Sequence, residues 1–196
     1  MTASLLSAYA DPVFDSQAVF RNLMSAVAYP GRPVVLDRTV ETPAPLNVAT
    51  TALCLALADF ETPLWLDRRS ATDEAIRHLR FHCGTPFASD PAHARFAVIA
   101  DPLAMPRLGA FHQGDVEYPD RSTTLVIQVP SLTDGPRTVW SGPGIREPAV
   151  VQVAGLPEWF WSDWDLEREI YPLGVDVFFT CENAILGLPR TIRVEA

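Results

Sequence analysis

Short runs of β-branched and aromatic residues, each bounded by glycine or proline, constrain the fold of this chain more than any other feature. The longer runs are RFAVIA (95–100), TTLVIQV (123–129), RTVWSG (137–142), VDVFFT (175–180) and AILGLP (184–189), and they follow PVVL (33–36) and PLWL (63–66). This composition and spacing predict β-strands. Strands that are apolar at almost every position are typical of a sheet that is covered on both faces.

Four further segments have the pattern of helices. Asp15 and Asn47 are suitable N-caps for the first two, the third begins at Thr72, and the fourth is PEWFWSDWDLEREI (157–170). The second helix is apolar nearly all round, so we expect it to be buried on several sides. In the first helix, which Pro30-Gly31 ends, one helical face is formed by Phe20, Leu23, Met24 and Val27.

The last two long runs are joined only by CEN (181–183), a connection short enough for an antiparallel hairpin. The sequence therefore predicts an α/β fold with a mixed, mostly parallel sheet that is covered by helices on both faces. No internal repeat, linker or break in composition divides the 196 residues, so a single domain is predicted over 1–196.

Charge and cysteine usage narrow the function classes. With 15 basic and 24 acidic residues the formal net charge is −9, which argues against partners such as nucleic acid or an anionic membrane surface. No apolar run approaches the roughly 20 residues that span a bilayer, and the N-terminal segment lacks the features of a signal peptide. Three widely spaced cysteines without a CxxC pair indicate free thiols, so we expect a cytoplasmic protein.

The chain contains no lysine, and all its basic residues are arginine. A Schiff base with pyridoxal phosphate or a carbonyl substrate therefore cannot form on a lysine side chain. A Walker-type phosphate loop is excluded for the same reason. We expect no cofactor.

The segment RHLRFHC (77–83) is the strongest candidate for a binding site. Arg80 could bind a phosphate-like anion through its planar fork of donors, with His82 as a proton donor. His78 and His82 have the spacing of shared metal ligands, but the metal interpretation is weaker because no HExxH or CxxC motif accompanies them. The alternative is the last turn of a helix, where cationic side chains offset the helix dipole.

Other motifs are less specific. PGRP (30–33) and SGPGI (141–145) fit no phosphate-loop pattern, although the second could present backbone N–H groups to an anion. A tight turn is the alternative for both. No GxSxG motif occurs, and Cys83 next to His82 cannot serve as a nucleophile–base pair because sequence neighbours do not face each other.

Four large aromatic residues fall within six positions of the fourth predicted helix, namely Trp159, Phe160, Trp161 and Trp164. They cannot all lie on one helical face. Trp159 and Trp161 are therefore candidate interface residues, since tryptophan is enriched at interaction hot spots. The alternative is a core helix with tryptophans at its margin.

Collinear segments over nearly the whole chain resemble the PhnH subunit family of the bacterial carbon–phosphorus lyase system. They are FRNLMSAVAYPGRPV (20–34), LNVATTALCLALADFETPLWL (46–66), LRFHCGTPF (79–87), STTLVIQV (122–129), SGPGI (141–145) and YPLGVDVFFTCENAILGLPRTIRVEA (171–196). The regions 101–121 and 157–168 depart most from the family pattern.

The resemblance implies a cytoplasmic subunit that joins PhnG, PhnI and PhnJ in the use of phosphonates. It implies support for the transfer of a phosphonate onto the ribose of ATP, giving a ribose 1-phosphonate 5-triphosphate before PhnJ cleaves the carbon–phosphorus bond. It also implies a homodimer when isolated, and a fold like that of pyridoxal-phosphate-dependent transferases without the cofactor site. No catalytic residue carries over from the family.

Three hypotheses follow. The first is an accessory subunit without turnover of its own. The second is a pocket for a phosphonate or a triphosphate formed by Arg80, His82 and Arg190, since Arg190 follows Pro189 at the end of a predicted strand and site residues of α/β sheets often lie at strand ends. The third is a purely structural, dimeric scaffold.

Overall fold

A six-stranded mixed sheet forms the centre of the computed structural model, which describes residues 8–9, 11–37 and 40–196. The described helices are α1 (Pro12–Ala28), α2 (Val48–Leu57), α3 (Asp73–Cys83) and α4 (Phe160–Glu169). The described strands are β1 (Val34–Val35), β2 (Leu64–Leu66), β3 (Phe96–Ile99), β4 (Thr124–Gln128), β5 (Arg137–Ser141), β6 (Ala149–Gln152), β7 (Asp176–Cys181), β8 (Ala184–Leu188) and β9 (Arg193–Glu195).

The central sheet has the order β1-β8-β7-β4-β3-β2. Strands β2, β3, β4 and β7 are parallel, with Val98 opposite Leu66 on one side and Val126 on the other. Strands β7, β8 and β1 are antiparallel, and the CEN turn closes the β7–β8 hairpin. The predictions of an α/β fold and of a mixed sheet are confirmed.

Alternate residues of these strands point into two hydrophobic cores. On one face, Val98, Val126 and Phe178 pack with the buried sides of α1, α2 and α3. On the other face, Ile99, Ile127 and their neighbours pack with Trp140, Trp164 and Val194. This alternation explains why the strands are apolar at successive positions.

The second face differs from the predicted layer of helices. It carries a three-stranded antiparallel sheet with the order β6-β5-β9, and α4 lies beside it. The sequence predicted RTVWSG as a strand but did not place it in a second sheet, of which it forms the middle strand β5. The two strands that flank it, β6 and β9, were not predicted. Strand β5 shows a clear alternation, because Thr138 and Trp140 are buried whereas Arg137 and Val139 face outward.

Two details of α1 also differ from the sequence prediction. Its N-cap is Asp11 rather than Asp15, because Pro12 favours the first helical position and the Asp11 carboxylate accepts a hydrogen bond from the Phe14 N–H at 3.3 Å. Its buried residues are Val19, Leu23 and Ala26. Of the predicted apolar face, only Leu23 is buried, while Phe20, Met24 and Val27 are exposed.

The caps of α2 and α3 agree with the sequence. The Asn47 side chain accepts a hydrogen bond from the Thr50 N–H at 2.8 Å, and Thr72 caps α3 in the same way. Residues Ala49 to Cys54 of α2 are buried, as its uniformly apolar sequence predicted. Within the described ranges, none of the helices is both long enough and apolar enough to cross a membrane.

Candidate functional site

The sequence-predicted anion site lies in the last turn of α3. Gly84 ends this helix in the left-handed conformation with φ of 68°, which places Arg80 and His82 in its final turn. The Arg80 side chain is exposed, and its guanidinium carbon lies 5.4 Å from the centre of the Phe87 ring. The His82 ring lies 4.5 Å from the ring of His78, one turn earlier. Arg80 and His82 thus share the last turn of α3, but their partners differ, since Arg80 packs on Phe87 and His82 on His78.

His78 is buried, and neither of its ring nitrogens has a hydrogen-bond partner among the described residues. Burial, together with the neighbouring His82, lowers the pKa of His78, so the ring is neutral at physiological pH. Among the described residues, no group of three or more histidines, cysteines or acidic residues is arranged to hold a metal ion.

Cys83 is not placed as a nucleophile. Its thiol donates a weak hydrogen bond to the carbonyl oxygen of Cys54 at 3.6 Å. Burial raises the pKa of Cys83 to about 12, and it raises the pKa of Cys54 as well. Because the thiolate is the reactive form, both side chains are unreactive at neutral pH.

Arg190 lies at a different part of the sheet. Strand β8 is antiparallel to β7, so the residue that follows it lies beside the beginning of β7, at the amino ends of the parallel strands. Ligands of α/β sheets usually bind at the opposite, carboxyl ends. The guanidinium of Arg190 binds the Asp176 carboxylate, the Ser122 hydroxyl and the carbonyl oxygens of Pro119 and Pro172.

The carboxyl ends of β4 and β7 hold a polar network that the sequence did not reveal. The Asn47 N–H donates to the Gln128 side-chain oxygen at 2.7 Å, and the hydroxyls of Thr50 and Thr180 lie 2.8 Å apart. The Gln128 amide donates to the Pro45 carbonyl at 3.2 Å. The first turn of α2 thus covers this edge, and internal hydrogen bonds use groups that a ligand would otherwise contact. The sequence signal for this network was weak: Gln128 and Thr180 are polar residues at or next to the ends of two largely apolar runs.

The four aromatics of α4 divide into two sets. Phe160 and Trp164 are buried, and the Trp164 ring N–H donates to the Ile192 carbonyl at 3.0 Å. Trp159 and Trp161 are half-buried at the margin of the core. The Arg107 guanidinium stacks over Trp159 at 4.7 Å and also pairs with the buried Asp163 carboxylate.

Trp161 lies between the hydrophobic core and an open cavity. Its ring packs edge-on against Trp140 at 6.2 Å, and its outer side lines an open cavity of about 710 Å³ between α4 and β9. The cavity walls carry both signs of charge, including Asp165, Arg168 and Arg193. Each marginal tryptophan therefore presents part of its surface to solvent.

The sequence model of the family described as "Bacterial phosphonate metabolism protein (PhnH)" matches residues 7–195. The chain belongs to the PhnH family. The sequence-level resemblance is therefore confirmed.

Two curated relatives of this PhnH-family chain have informative names. The chain is 40% identical over 188 residues to "Alpha-D-ribose 1-methylphosphonate 5-triphosphate synthase subunit PhnH" of Rhizobium meliloti (strain 1021), covering 96% of this chain and 94% of the relative. It is 36% identical over 187 residues to "Putative C-P lyase subunit protein HtxG" of Stutzerimonas stutzeri, covering 91% of this chain and 85% of the relative. Both names describe subunits of larger systems.

Proposed function

We propose that this chain is an accessory, non-catalytic subunit of a multi-subunit enzyme that forms a ribose 1-phosphonate 5-triphosphate from ATP and a phosphonate. The observation that supports this most is the 40% identity, over nearly the full length of both chains, to a named subunit of such a synthase. The subunit acts in the cytoplasm during phosphonate breakdown.

The surroundings of two candidate residues, Cys83 and Arg190, support a non-catalytic role. The Cys83 thiol is protonated, and Arg190 is enclosed by its protein partners. The expected likeness of the fold to pyridoxal-phosphate-dependent transferases brings no such cofactor chemistry with it, because a chain without lysine cannot form the internal aldimine. The residues of this chain do not fit that cofactor, and no reaction step is assigned to it.

The partners in this proposal are subunits of the PhnG, PhnI and PhnJ type. We propose that the exposed parts of Trp159 and Trp161 contribute to this contact, Trp161 from the edge of the cavity between α4 and β9. Large aromatic side chains contribute strongly to binding when they are desolvated at the centre of an interface.

Co-expression with affinity capture tests the assembly. We expect the tagged chain to recover all three partner types, and we expect Trp161→Ala to reduce the recovery. Phe60→Ala is the matched control, because Phe60 is 74% exposed and lies in a loop distant in sequence from α4. If the wild-type chain recovers none of the three partners, the proposal is wrong. If Trp159→Ala and Trp161→Ala both recover them fully, the tryptophan contact is wrong.

A second part of the proposal is a homodimer of the isolated chain that forms through α1. Four residues spaced along one side of the helix are apolar and exposed, namely Val13, Phe20, Met24 and Val27. Tyr29 and Val35 of the adjoining segment are also exposed. Several large apolar side chains exposed on one side of a helix often mark a protein–protein contact.

The alternative function is direct binding of a phosphonate or a nucleoside triphosphate by Arg80, His82 and Arg190. The exposed side chain of Arg80 in the same helical turn as His82 favours it. To bind such a ligand, the Arg190 guanidinium would have to break its ion pair with the Asp176 carboxylate. Unchanged affinity for ATP and methylphosphonate in Arg80→Ala would exclude this pocket.

A further inference from the structure

The two glycine turns that the sequence singled out, 30–33 and 141–145, meet at the carboxyl end of α1. Gly144 has φ of 83°, and a side chain there would collide with the carbonyl oxygen of Ala28 and approach the Pro30 ring to 2.9 Å. Gly31 has φ of 81°, and a side chain there would lie 3.1 Å from Val151 of β6. Gly144 therefore lets the turn 141–145 approach the end of α1 this closely, and Gly31 lets the turn 30–33 pack against β6.

This junction forms a cleft of about 330 Å³ that places one arginine from each side of the junction at the same opening. Its lining includes Pro30, Arg32, Gly144, Ile145, Arg146 and Glu147. The side chains of Arg32 and Arg146 are exposed, and neither forms an ion pair within the described ranges. In a chain with 24 acidic and 15 basic residues, two arginines that face one cleft without a paired carboxylate are a distinctive arrangement.

We propose that this cleft between the two glycine turns binds a phosphate- or phosphonate-type oxyanion through Arg32 and Arg146. Two guanidinium groups repel each other until an anion lies between them, and each can donate paired hydrogen bonds to its oxygens. A volume of about 330 Å³ has room for a phosphonate or for the phosphate groups of a nucleotide.

Two features of the cleft limit its affinity and make both arginines necessary. Glu147 lines the same opening, and the carboxyl end of α1 contributes partial negative charge. Binding should therefore weaken steeply as salt increases, since the groups are exposed. The proposal goes beyond the accessory role and does not depend on it, because a subunit without turnover can still bind a substrate group.

Isothermal titration of the full chain with sodium tripolyphosphate at low ionic strength tests the proposal. We expect one site per chain and about a tenfold loss of affinity in both Arg32→Ala and Arg146→Ala, as for the loss of one charge-assisted contact. Arg137→Ala is the matched control, because Arg137 is exposed on the neighbouring strand β5 and is not among the residues that line the cleft. Its affinity should stay within about twofold of wild type, a change small against the tenfold step.

Competition then identifies the source of the anion. Displacement of tripolyphosphate by ATP assigns the cleft to the triphosphate, and displacement by methylphosphonate assigns it to the phosphonate. The proposal is overturned by absence of binding to the wild-type chain, by displacement with neither compound, or by an equal loss in Arg137→Ala. Thermal unfolding of each variant checks that its fold is intact, which is expected because both arginines are exposed.

Discussion

The Arg190 side chain is enclosed by the beginning of β7, the turn at 119–122 and Pro172, and only 13% of it is exposed. Arg190→Ala removes these bonds and leaves the Asp176 carboxylate without its guanidinium. We expect the free energy of unfolding to fall by about 3 kcal/mol, within the range for a hydrogen-bonded ion pair that loses one partner. Urea denaturation followed by circular dichroism measures the change.

Arg193→Ala provides the control for Arg190. Arg193 pairs with Glu195 at 3.3 Å, but both side chains are about 60% exposed. Such surface pairs contribute little, so the expected loss is below about 0.5 kcal/mol. Equal losses in the two variants would contradict the structural role of Arg190.

Glu167 is a buried carboxylate, and its contribution to the free energy of unfolding of the protein should depend on pH. Burial raises its pKa, although the Val175 N–H donates to it at 3.2 Å and Arg190 attracts its charge. The folded state therefore holds the proton more tightly than the unfolded state, where the pKa is about 4.3. Stability is greatest below that unfolded value and falls as the pH rises through the raised folded value.

Glu167→Gln removes this dependence while keeping an oxygen that can accept from Val175. We expect the free energy of unfolding of the variant, relative to wild type, to increase from about pH 4 to about pH 7. Glu169→Gln is the control, because Glu169 is exposed at the end of the same helix. A relative stability of Glu167→Gln that does not change with pH would show that burial leaves this carboxyl unperturbed.

The elements that the sequence predicted well are those with local determinants. Asn47 and Thr72 cap their helices because the bond joins a side chain to an N–H three residues later, which the local sequence specifies. Sheet membership is not local. RTVWSG matches the strand pattern as the central runs do, yet it pairs with β6 and β9 in a separate sheet, and this depends on where distant segments pack.

The contact between α1 and β8 depends on one small residue. A side chain at Gly187 would approach the carbonyl oxygen of Ala26 to 2.5 Å, and that atom is backbone and cannot move aside. We expect Gly187→Ala to lower the free energy of unfolding by about 2 kcal/mol or more, since the helix must shift. Thermal denaturation measures this loss.

Gly109→Ala is the matched control for Gly187. Nothing lies within 4 Å of a side chain added at Gly109, which lies in the turn Leu108–Ala110. The expected change is within about 0.5 kcal/mol, as for most surface substitutions. A loss at Gly109 as large as that at Gly187 would contradict the close approach of α1 and β8.

At the scale of the whole molecule, the exposed face of α1 predicts self-association. We expect the wild-type chain to sediment as a dimer and Met24→Asp to sediment as a monomer, because Met24 is 52% exposed and a charge there would be buried in the interface. Phe60→Asp is the control, since Phe60 is exposed elsewhere. A wild-type monomer, or a dimer that Met24→Asp leaves intact, would contradict this assignment.

The candidate site was less accessible to sequence reasoning than the fold. The contact between the rings of His78 and His82 follows from their i,i+4 helical spacing, which is local. The enclosure of Arg190 depends on Asp176 and on Pro119 and Ser122 of one turn, which are two segments distant from it in sequence. The junction of Arg32 and Arg146 likewise joins turns more than a hundred residues apart, so no local motif could indicate it.

Release of adenine from ATP in the presence of methylphosphonate tests the accessory role most directly. The assay compares this chain alone, the partner subunits alone, and both together. We expect no adenine from the chain alone and a clear rate increase when the chain is added to its partners. Turnover by the purified chain, or a partner rate that does not change on its addition, would show that the chain is not an accessory subunit.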